Sequence, residues 1–316
     1  MNSWLQLTLG LVLLLGSGEF LVRGAVGVAR ALGVSPLFIG LTLVGFGTSA
    51  PELVASLIAA SRGAPGIAVG NVVGSNSANV LLILGVTAMI SAVPVSRQAF
   101  HRDAVALAAA SLVALLVALV GRLDAWGGIV MIGTLVAYIT VTYRAEKKSH
   151  SAEAVIHEGE SALHTPRPAG IWMPLLVAAA SLGGVILGAR LLVDSAIVIA
   201  RDFGIDETVI GLTVVAVGTS LPELAVSVIA AFRGQGALAV GNIVGSNIYN
   251  ILFILGMTAL VRPIPVPPQI ARVDIWVMLL VTSALLVYMV RGRTMGRGIG
   301  ALFLASYAVY VWAIMR

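Results

Sequence analysis

The sequence contains no cysteine and few charged residues. Only 10% of its 316 residues are Asp, Glu, Lys or Arg, whereas a soluble domain carries about 25%. The missing cysteines exclude disulfides, thiolate metal sites and a cysteine nucleophile. The shortage of charge excludes an ordinary water-exposed globular surface. Long apolar runs recur instead, with 59% hydrophobic residues and a mean hydropathy of +1.03, so the sequence predicts an integral membrane protein.

The net charge of +5 does not indicate nucleic-acid binding. The basic residues lie singly or in small groups between apolar runs, which is how membrane proteins set their orientation. No basic stripe with interleaved aromatic residues is present.

The first apolar run, Leu5 to Leu15, has no basic residue before it and no convincing cleavage site after it. It is therefore interpreted as the first membrane helix and not as a signal peptide.

The pattern predicts an all-α fold of ten transmembrane helices. A helix needs roughly 20 residues to cross the hydrocarbon core. The long polar segment 144–169 separates two groups of five apolar runs. We therefore expect a first repeat at 1–145, a polar cytoplasmic linker at 146–169 and a second repeat at 170–316. The predicted spans are 4–30, 36–61, 66–93, 103–121, 124–143, 171–200, 207–232, 236–261, 273–291 and 296–315.

The two groups of helices are copies of one another. Residues 39–63 read IGLTLVGFGTSAPELVASLIAASRG, and residues 210–234 read IGLTVVAVGTSLPELAVSVIAAFRG, with 17 of 25 positions identical. The match continues from AVGNVVGSNSANVLLILG at 68–85 to AVGNIVGSNIYNILFILG at 239–256, at the same offset of 171 residues. Two gapless blocks at one offset indicate an internal duplication.

An odd number of helices in each half predicts that the two copies enter the membrane from opposite sides, as in many secondary transporters. The loop charges predict that both termini lie outside a cell (inner) membrane. The basic residues then expected in the cytoplasm are Arg30, Arg97, Arg102, Arg144, Lys147, Lys148, Arg167, Arg233, Arg291, Arg293 and Arg297. Those expected outside are Arg62, Arg122, Arg201, Arg262 and Arg272.

Two glutamates, Glu52 and Glu223, occupy equivalent positions near the middle of the second and seventh predicted helices. An uncompensated ionisable residue at that depth costs at least roughly 2.5–3.5 kcal/mol. The duplicated pair therefore predicts a shared site near the membrane midplane. The alternative is a protonated glutamic acid that is hydrogen-bonded within the bundle.

Both glutamates follow the same turn, Gly-Thr-Ser-x-Pro-Glu. Helical spacing places Thr48 and Ser49 on the face of Glu52, and Thr219 and Ser220 stand likewise to Glu223. Pro51 and Pro222 lack an N–H and should kink their helices, which frees carbonyl oxygens beside the carboxylates. Irregular backbone at this depth is tolerated where it lines a cavity or is buried in protein. Carboxylate, hydroxyl and carbonyl oxygens suit Ca²⁺ and Na⁺, and the absence of nearby imidazole or thiolate argues against zinc, copper and iron.

The third and eighth predicted helices carry a second duplicated polar motif, Gly-Asn-x-x-Gly-Ser-Asn-x-x-Asn. Four members, at i and i+4 on one face of each helix, are predicted to line the site: Ser75, Asn79, Ser246 and Asn250. Two roles stay open for the other amides, because they could line the site or only hold helices together. These amides are Asn71, Asn76, Asn242 and Asn247.

Charged residues of opposite sign also lie at i,i+4 on the first and sixth predicted helices. These are Glu19 with Arg23, and Arg190 with Asp194, so the signs are exchanged between the copies. The preferred interpretation is an intrahelical ion pair near a membrane interface. The alternative is a pairing across the repeats that breaks when the two helices slide.

The duplicated GTSxPEL and GNxxGSNxxN motifs resemble the two α-repeats of the Ca²⁺/cation antiporter superfamily, and are most similar to prokaryotic sodium/calcium exchangers. The resemblance covers essentially the whole chain, and the short linker favours a prokaryotic origin. It implies cation ligands at matching positions, with backbone oxygens of Gly45 and Ala216 among them. The full implied set is Glu52, Glu223, Thr48, Ser49, Thr219, Ser220, Ser75, Ser246, Asn79, Asn250, Gly45 and Ala216.

The resemblance implies an antiporter, not an enzyme, that exports Ca²⁺ in exchange for Na⁺ by alternating access, with the first and sixth helices sliding across the bundle. We expect no cofactor, since Ca²⁺ and Na⁺ bind as transported substrates. Asn250 stands where the best-known exchangers carry Asp. The site then has two carboxylates and not three, so the number of Na⁺ exchanged for each Ca²⁺ stays open. Related proton-coupled exchangers lack the Thr-Ser pair, which favours sodium. A Ca²⁺/H⁺ antiporter and a cation channel stay as alternatives, with K⁺ dependence open.

Overall fold

The computed structural model describes residues 2–61, 66–93, 97–157, 170–203, 216–292 and 294–314. The chain is helical almost throughout these ranges, and several helices are interrupted by a wider π-helical turn. The α-helices are α1 (Ser3–Leu32), α2 (Pro36–Ile39), α3 (Gly45–Thr48), α4 (Ala50–Ser61), α5 (Gly66–Ala78), α6 (Gly85–Ile90), α7 (Arg97–Val120), α8 (Ala125–His157), α9 (Trp172–Asp202), α10 (Ala216–Thr219), α11 (Leu221–Phe232), α12 (Gly236–Tyr249), α13 (Leu255–Val261), α14 (Ile275–Arg291) and α15 (Arg297–Ile314). The π-helical turns are Gly40–Val44, Asn79–Leu84, Asn250–Ile254 and Ile270–Asp274.

Within the described ranges, seven helices are long and apolar enough to cross a membrane, and an eighth span is counted if the bent pair 36–48 and 50–61 is one. Their outer faces carry exposed apolar side chains, for example Trp126, Val120 and Leu280, each more than 70% exposed. A hydrocarbon environment accepts such faces, because the helices satisfy their own backbone hydrogen bonds. The predicted all-α membrane class is confirmed.

The predicted linker and the seventh predicted span can be compared with the structure only in part. Helix α8 continues to His157, so it extends into the segment predicted as the linker. The rest of that segment, residues 158–169, lies outside the described residues, as do residues 207–215 of the predicted span 207–232. The repeat boundaries therefore stay a prediction.

Helices α1 and α9 pack directly against each other along their length. A Cβ atom at Gly10 would lie 2.7 Å from the backbone nitrogen of Leu192, and one at Gly188 would lie 2.5 Å from that of Leu14. Small residues permit this close backbone approach between membrane helices. Buried residues of α1, α2, α9, α11 and the start of α12 form one hydrophobic cluster. Residues of α5 to α8 and α12 to α15 dominate a second, larger one.

Short extended segments join the loops of the two halves. Strand β1 (Arg122–Leu123) pairs antiparallel with β2 (Ile264–Pro265), with Leu123 opposite Ile264. A single bridge likewise joins Val93 to Met295. These contacts join the loops after α6 and α7 to the loops before α15 and after α13, respectively.

Candidate functional site

Two buried glutamates lie where the bent helices of the two halves meet. Glu52 and Glu223 are each 1% exposed. The hydroxyl of Ser49 donates a hydrogen bond to Oε1 of Glu223 at 3.1 Å, and the hydroxyl of Ser220 donates to Oε1 of Glu52 at 3.3 Å. Each serine therefore contacts the carboxylate of the other half, which brings both glutamates into one polar site.

A break in the helix before each glutamate explains why each serine contacts the glutamate of the other half. Ser49 separates α3 from α4 with φ −79° and ψ 6°, and the two helical segments there are bent by 42°. Ser220 has nearly the same backbone, φ −91° and ψ 7°, and separates α10 from α11. A proline follows two residues later in each half and disfavours a regular turn. The kink predicted from Pro51 is confirmed.

Two asparagines fix the backbone of the glutamates. Nδ2 of Asn71 donates to the carbonyl of Glu52 at 3.1 Å and to Ser56 Oγ at 3.0 Å. In the other half, Nδ2 of Asn242 donates to the carbonyl of Glu223 at 3.3 Å and to Ser227 Oγ at 3.0 Å. Asn242 also accepts a hydrogen bond from Thr48 Oγ1 at 3.1 Å. These amides position the site and join neighbouring helices.

Ser246 connects the site to the first half of the chain. Its hydroxyl lies 3.3 Å from the carbonyl oxygen of Gly45 and 3.5 Å from Oε1 of Glu223. The contact requires close packing of α12 on the turn 40–44, since a Cβ atom at Gly245 would lie 2.4 Å from the carbonyl oxygen of Leu41. The predicted residues Gly45, Ser246 and Glu223 are thus brought together.

Four asparagines link the halves at the bottom of the site. Nδ2 of Asn79 donates to Oδ1 of Asn247 at 2.9 Å, and Nδ2 of Asn250 donates to Oδ1 of Asn76 at 2.9 Å. Asn76 and Asn247 in turn donate to each other's backbone carbonyls, at 3.1 and 3.4 Å. Asn79 and Asn250 each begin a π-helical turn, a feature found frequently at functional sites.

Four buried oxygen atoms at this site have no hydrogen-bond donor among the described residues. They are Oε2 of Glu52, Oε2 of Glu223, Oδ1 of Asn79 and Oδ1 of Asn250. Each amide uses its nitrogen to bind the opposite half, which leaves its oxygen available. Buried acceptors normally have a partner. Hard oxygen atoms of this kind are the ligands that Na⁺ and Ca²⁺ prefer.

The negative charge of the site comes from the two glutamates. In the part of the chain that the structure describes, no group of three or more His, Cys, Asp or Glu side chains is placed to hold a metal ion. Two ionised carboxylates in such a buried position need compensation by cations. The arrangement can therefore bind cations through oxygen atoms supplied by both halves.

Comparison with known proteins agrees with this chemistry. Residues 2–144 and 173–316 match the family model described as sodium/calcium exchanger protein. The chain belongs to the sodium/calcium exchanger family. It is 34% identical to the sodium/calcium exchanger MaX1 of Methanosarcina acetivorans, over 98% of this chain and 97% of that protein. It is 36% identical to the putative antiporter CaxA of Alkalimonas amylolytica, over 96% of each.

Solved structures of the family show the same fold. The sodium-calcium exchanger NCX_Mj, soaked with zero Na⁺ and Ca²⁺, superposes with a TM-score of 0.84 and 31% sequence identity, over 99% of this chain and 100% of that chain. The resemblance stated from the motifs is thereby confirmed. Homologues in this family are exchangers, which supports a transporter and not an enzyme.

Three further predicted members of the exchanger site, Ser75, Thr219 and Ala216, lie on α5 and α10. Ser75 is buried in α5, but within the described ranges its hydroxyl donates to neither glutamate. Thr219 is half-buried at the end of α10, and Ala216 begins that helix. The ligand roles of all twelve residues stay predictions.

Sequence reasoning missed two serines that support the site. Ser56 and Ser227 are fully buried and accept the asparagine hydrogen bonds described above. Each stands four residues after its glutamate, and the duplication of that spacing was the available signal.

The charged residues on the first and sixth predicted helices form ion pairs within their own helices. Arg23 Nε lies 2.5 Å from Glu19 Oε1, and Arg190 Nε lies 3.7 Å from Asp194 Oδ2. Both intrahelical ion pairs are therefore present in the structure, and for Glu19 a contact across the two halves is present as well. A further partner of Glu19, Arg233, was not predicted.

Proposed function

We propose that the chain exchanges Ca²⁺ for Na⁺ across the membrane by alternating access, at a site between its two repeats. The observation that carries this proposal is the set of four unpaired buried oxygens, one pair from carboxylates and one pair from amides, to which both halves contribute equally. The family membership and the names of the relatives support the choice of ions.

We further propose ten transmembrane helices in two inverted repeats of five. The seven long spans and the bent pair leave two shorter apolar helices, α11 and α15, which complete ten. Two loop contacts, Val93 with Met295 and Leu123 with Ile264, are related by the duplication. Ile264 follows Val93 by 264 − 93 = 171 residues, and Met295 follows Leu123 by 295 − 123 = 172 residues, one more than the repeat offset. An odd number of helices per half then requires opposite orientations.

The charge of the site supports competition between the two substrates. One Ca²⁺ or two Na⁺ neutralise the two glutamates, so either load gives an electrically balanced core. A neutral core costs least to hold in a low-dielectric occluded state. Emptying the site leaves two uncompensated carboxylates, which disfavours movement without a bound ion and couples the two fluxes.

The moving part of this mechanism is the pair α1 and α9. The two helices pack backbone to backbone across glycines, and their apolar side chains contact the rest of the bundle through a hydrophobic cluster that also includes residues of α2, α11 and α12. We propose that they slide together over the rest of the bundle and expose the site to each side in turn.

Flux of ⁴⁵Ca²⁺ into proteoliposomes tests the proposal. Purified protein is reconstituted, and Na⁺, H⁺ or K⁺ gradients are imposed separately under voltage clamp by a selective ionophore. Saturable Ca²⁺ uptake that depends on an outward Na⁺ gradient is the expected result. Uptake driven by a proton gradient alone would identify a Ca²⁺/H⁺ antiporter instead. Uptake that needs no counter-gradient and does not saturate would identify a channel.

A further inference from the structure

An ion pair joins α1 to the far end of the helix that carries Glu223. Both carboxylate oxygens of Glu19 accept hydrogen bonds from Arg233, with Nε 2.7 Å from Oε2 and Nη2 in contact with Oε1. Glu19 also accepts from Arg23, one turn along α1. The side chains of Glu19 and Arg233 are 24% and 45% exposed. A two-pronged contact between guanidinium and carboxylate has a defined geometry as well as a charge attraction.

The position of Arg233 is fixed by the end of α11. Arg233 is the C-terminal cap of that helix, and Gly234 follows in the left-handed region with φ +68°. Ten residues of helix place it about 15 Å along the axis from Glu223. One turn earlier, Ile229 contacts α1 at Gly18, where a Cβ atom would lie 2.6 Å from Ile229 Cδ1. The α1–α11 contact therefore has an apolar part and a charged part.

The equivalent position on α9 is arranged differently. Arg190 and Asp194 are 79% and 55% exposed, and they face each other at 3.7 Å. In the described ranges, Asp194 makes no ion pair with the first half of the chain. The α1–α9 pair is thus bound by charge to the bundle at the Arg233 end, whereas Asp194 pairs within its own helix.

From these contacts we infer that Glu19 and Arg233 form an ionic latch, which holds the α1–α9 pair against α11 and keeps the Arg233 face of the site closed. The inference rests on the proposed alternating-access exchange. Apolar contacts can slide past one another with little change in energy, whereas this ion pair must break before α1 moves. The predicted topology puts Arg233 in the cytoplasm, so the latch favours the state that is open to the outside.

The test compares neutral variants in oriented membrane vesicles. Glu19→Gln and Arg233→Gln should each shift the conformational population toward the inward-open state. The apparent KM for Ca²⁺ should fall about two- to fivefold on the cytoplasmic side, the range expected for a partly exposed ion pair, and should rise on the outer side. The double variant should resemble either single one, because the pair is lost only once.

Two matched controls separate the latch from the intrahelical pairs. Arg23→Gln removes the neighbour on α1 but keeps Arg233, and Asp194→Asn removes the repeat-related pair. Both should leave the ratio of the KM values on the two sides unchanged. Equal shifts on both sides in the Glu19 and Arg233 variants, or additive effects in the double variant, would overturn the latch.

A cross-linking experiment separates this inference from the proposed function. Because the chain has no cysteine, Glu19→Cys with Arg233→Cys introduces two thiols that have no competitors. A cleavable bifunctional thiol reagent should link them in membranes and block exchange until the link is reduced. Failure of the parent protein to exchange Ca²⁺ would contradict the proposed function alone. A linked protein that exchanges at the parental rate would contradict the latch alone.

Discussion

In the proposed site, Glu52 and Glu223 supply one negative charge each, and no other carboxylate contacts them in the described structure. Glu52→Gln or Glu223→Gln keeps the size of the side chain but leaves a bound Ca²⁺ with a net positive charge in a low-dielectric setting. We expect ⁴⁵Ca²⁺ exchange to fall to background in each variant, while the protein still elutes as a single folded species. Asp202→Asn, an exposed carboxylate at the end of α9, should exchange normally. Normal flux in either glutamine variant would remove that glutamate from the site.

Asn71 and Asn242 occupy equivalent positions but make unequal numbers of contacts. Asn242 makes three side-chain hydrogen bonds and is fully buried, whereas Asn71 makes two and is half-buried. A buried group that loses its partner costs about 1–3 kcal/mol. Asn242→Ala should therefore lower the thermal unfolding temperature in detergent, and weaken Ca²⁺ binding, more than Asn71→Ala. An equal or reversed order would show that these contacts do not set the stability of the site.

The sequence singled out the amides that meet in the structure, but it could not tell which amide binds a neighbouring helix and which faces the site. An asparagine offers both a donor and an acceptor, and spacing along a helix does not say which one faces a partner. The structure assigns the nitrogen of Asn79 to Asn247 and leaves its oxygen unpaired. That division depends on a residue 168 positions away, which no local pattern contains.

Among the elements, α12 depends on close approach to the turn 40–44. A Cβ atom at Gly245 would lie 2.4 Å from the carbonyl oxygen of Leu41, and backbone cannot move aside as a side chain can. Gly245→Ala should separate the helices, lower the unfolding temperature and reduce exchange. Gly133→Ala is the matched control, because Gly133 is exposed on α8 and a Cβ atom there meets no described atom within 4 Å. A control as damaging as Gly245→Ala would contradict this packing argument.

The irregular parts of the helices were only partly predictable. The break at Ser49 followed from Pro51, because proline removes a donor and clashes with the preceding turn. The π-helical turns that begin at Asn79 and Asn250 carry no proline and no comparable local signal. They arise where tertiary contacts of the asparagines outweigh the regular helical pattern, so a single sequence does not reveal them.

At the scale of the whole molecule, orientation follows from helix number and loop charge. The ten proposed spans would put both termini on one side, and the bias of Arg and Lys predicts that this side is outside. In intact cells, Ser3→Cys should react with a membrane-impermeant maleimide, whereas Ser161→Cys in the linker should react only after permeabilisation. The cysteine-free parent provides the blank. Labelling of the linker from outside would reverse the topology, and with it the side that the ionic latch closes.

The duplication revealed the two halves and the motifs that meet, because both lie within the repeated blocks. It did not reveal how the halves are joined away from the site. Arg233 reaches Glu19 over 214 residues of sequence, and α8 continues to His157 through polar residues that resemble a linker. Such contacts depend on the relative placement of helices, which internal similarity alone does not determine.

The charge argument predicts that Asn250, in place of a carboxylate, limits how many charges one transport cycle carries. With two carboxylates, one Ca²⁺ or two Na⁺ balance the site, and a third Na⁺ would leave a positive charge that is costly in an occluded core. We therefore expect an exchange of two Na⁺ for one Ca²⁺, which moves no net charge. The measurement is the reversal point of Ca²⁺ flux against a fixed Na⁺ gradient at several membrane voltages.

In the parent protein this reversal point should not change with voltage. Asn250→Asp adds an ionisable group at a position whose own side-chain oxygen is unpaired, within the asparagine cluster. If that aspartate is charged, the variant can hold a third Na⁺, and its reversal point should become voltage-dependent. If the variant stays voltage-independent, the added aspartate is protonated and the parental ratio persists. A voltage dependence already present in the parent, matching three Na⁺ and unchanged in the variant, would show that two carboxylates suffice for three ions and that the charge argument fails.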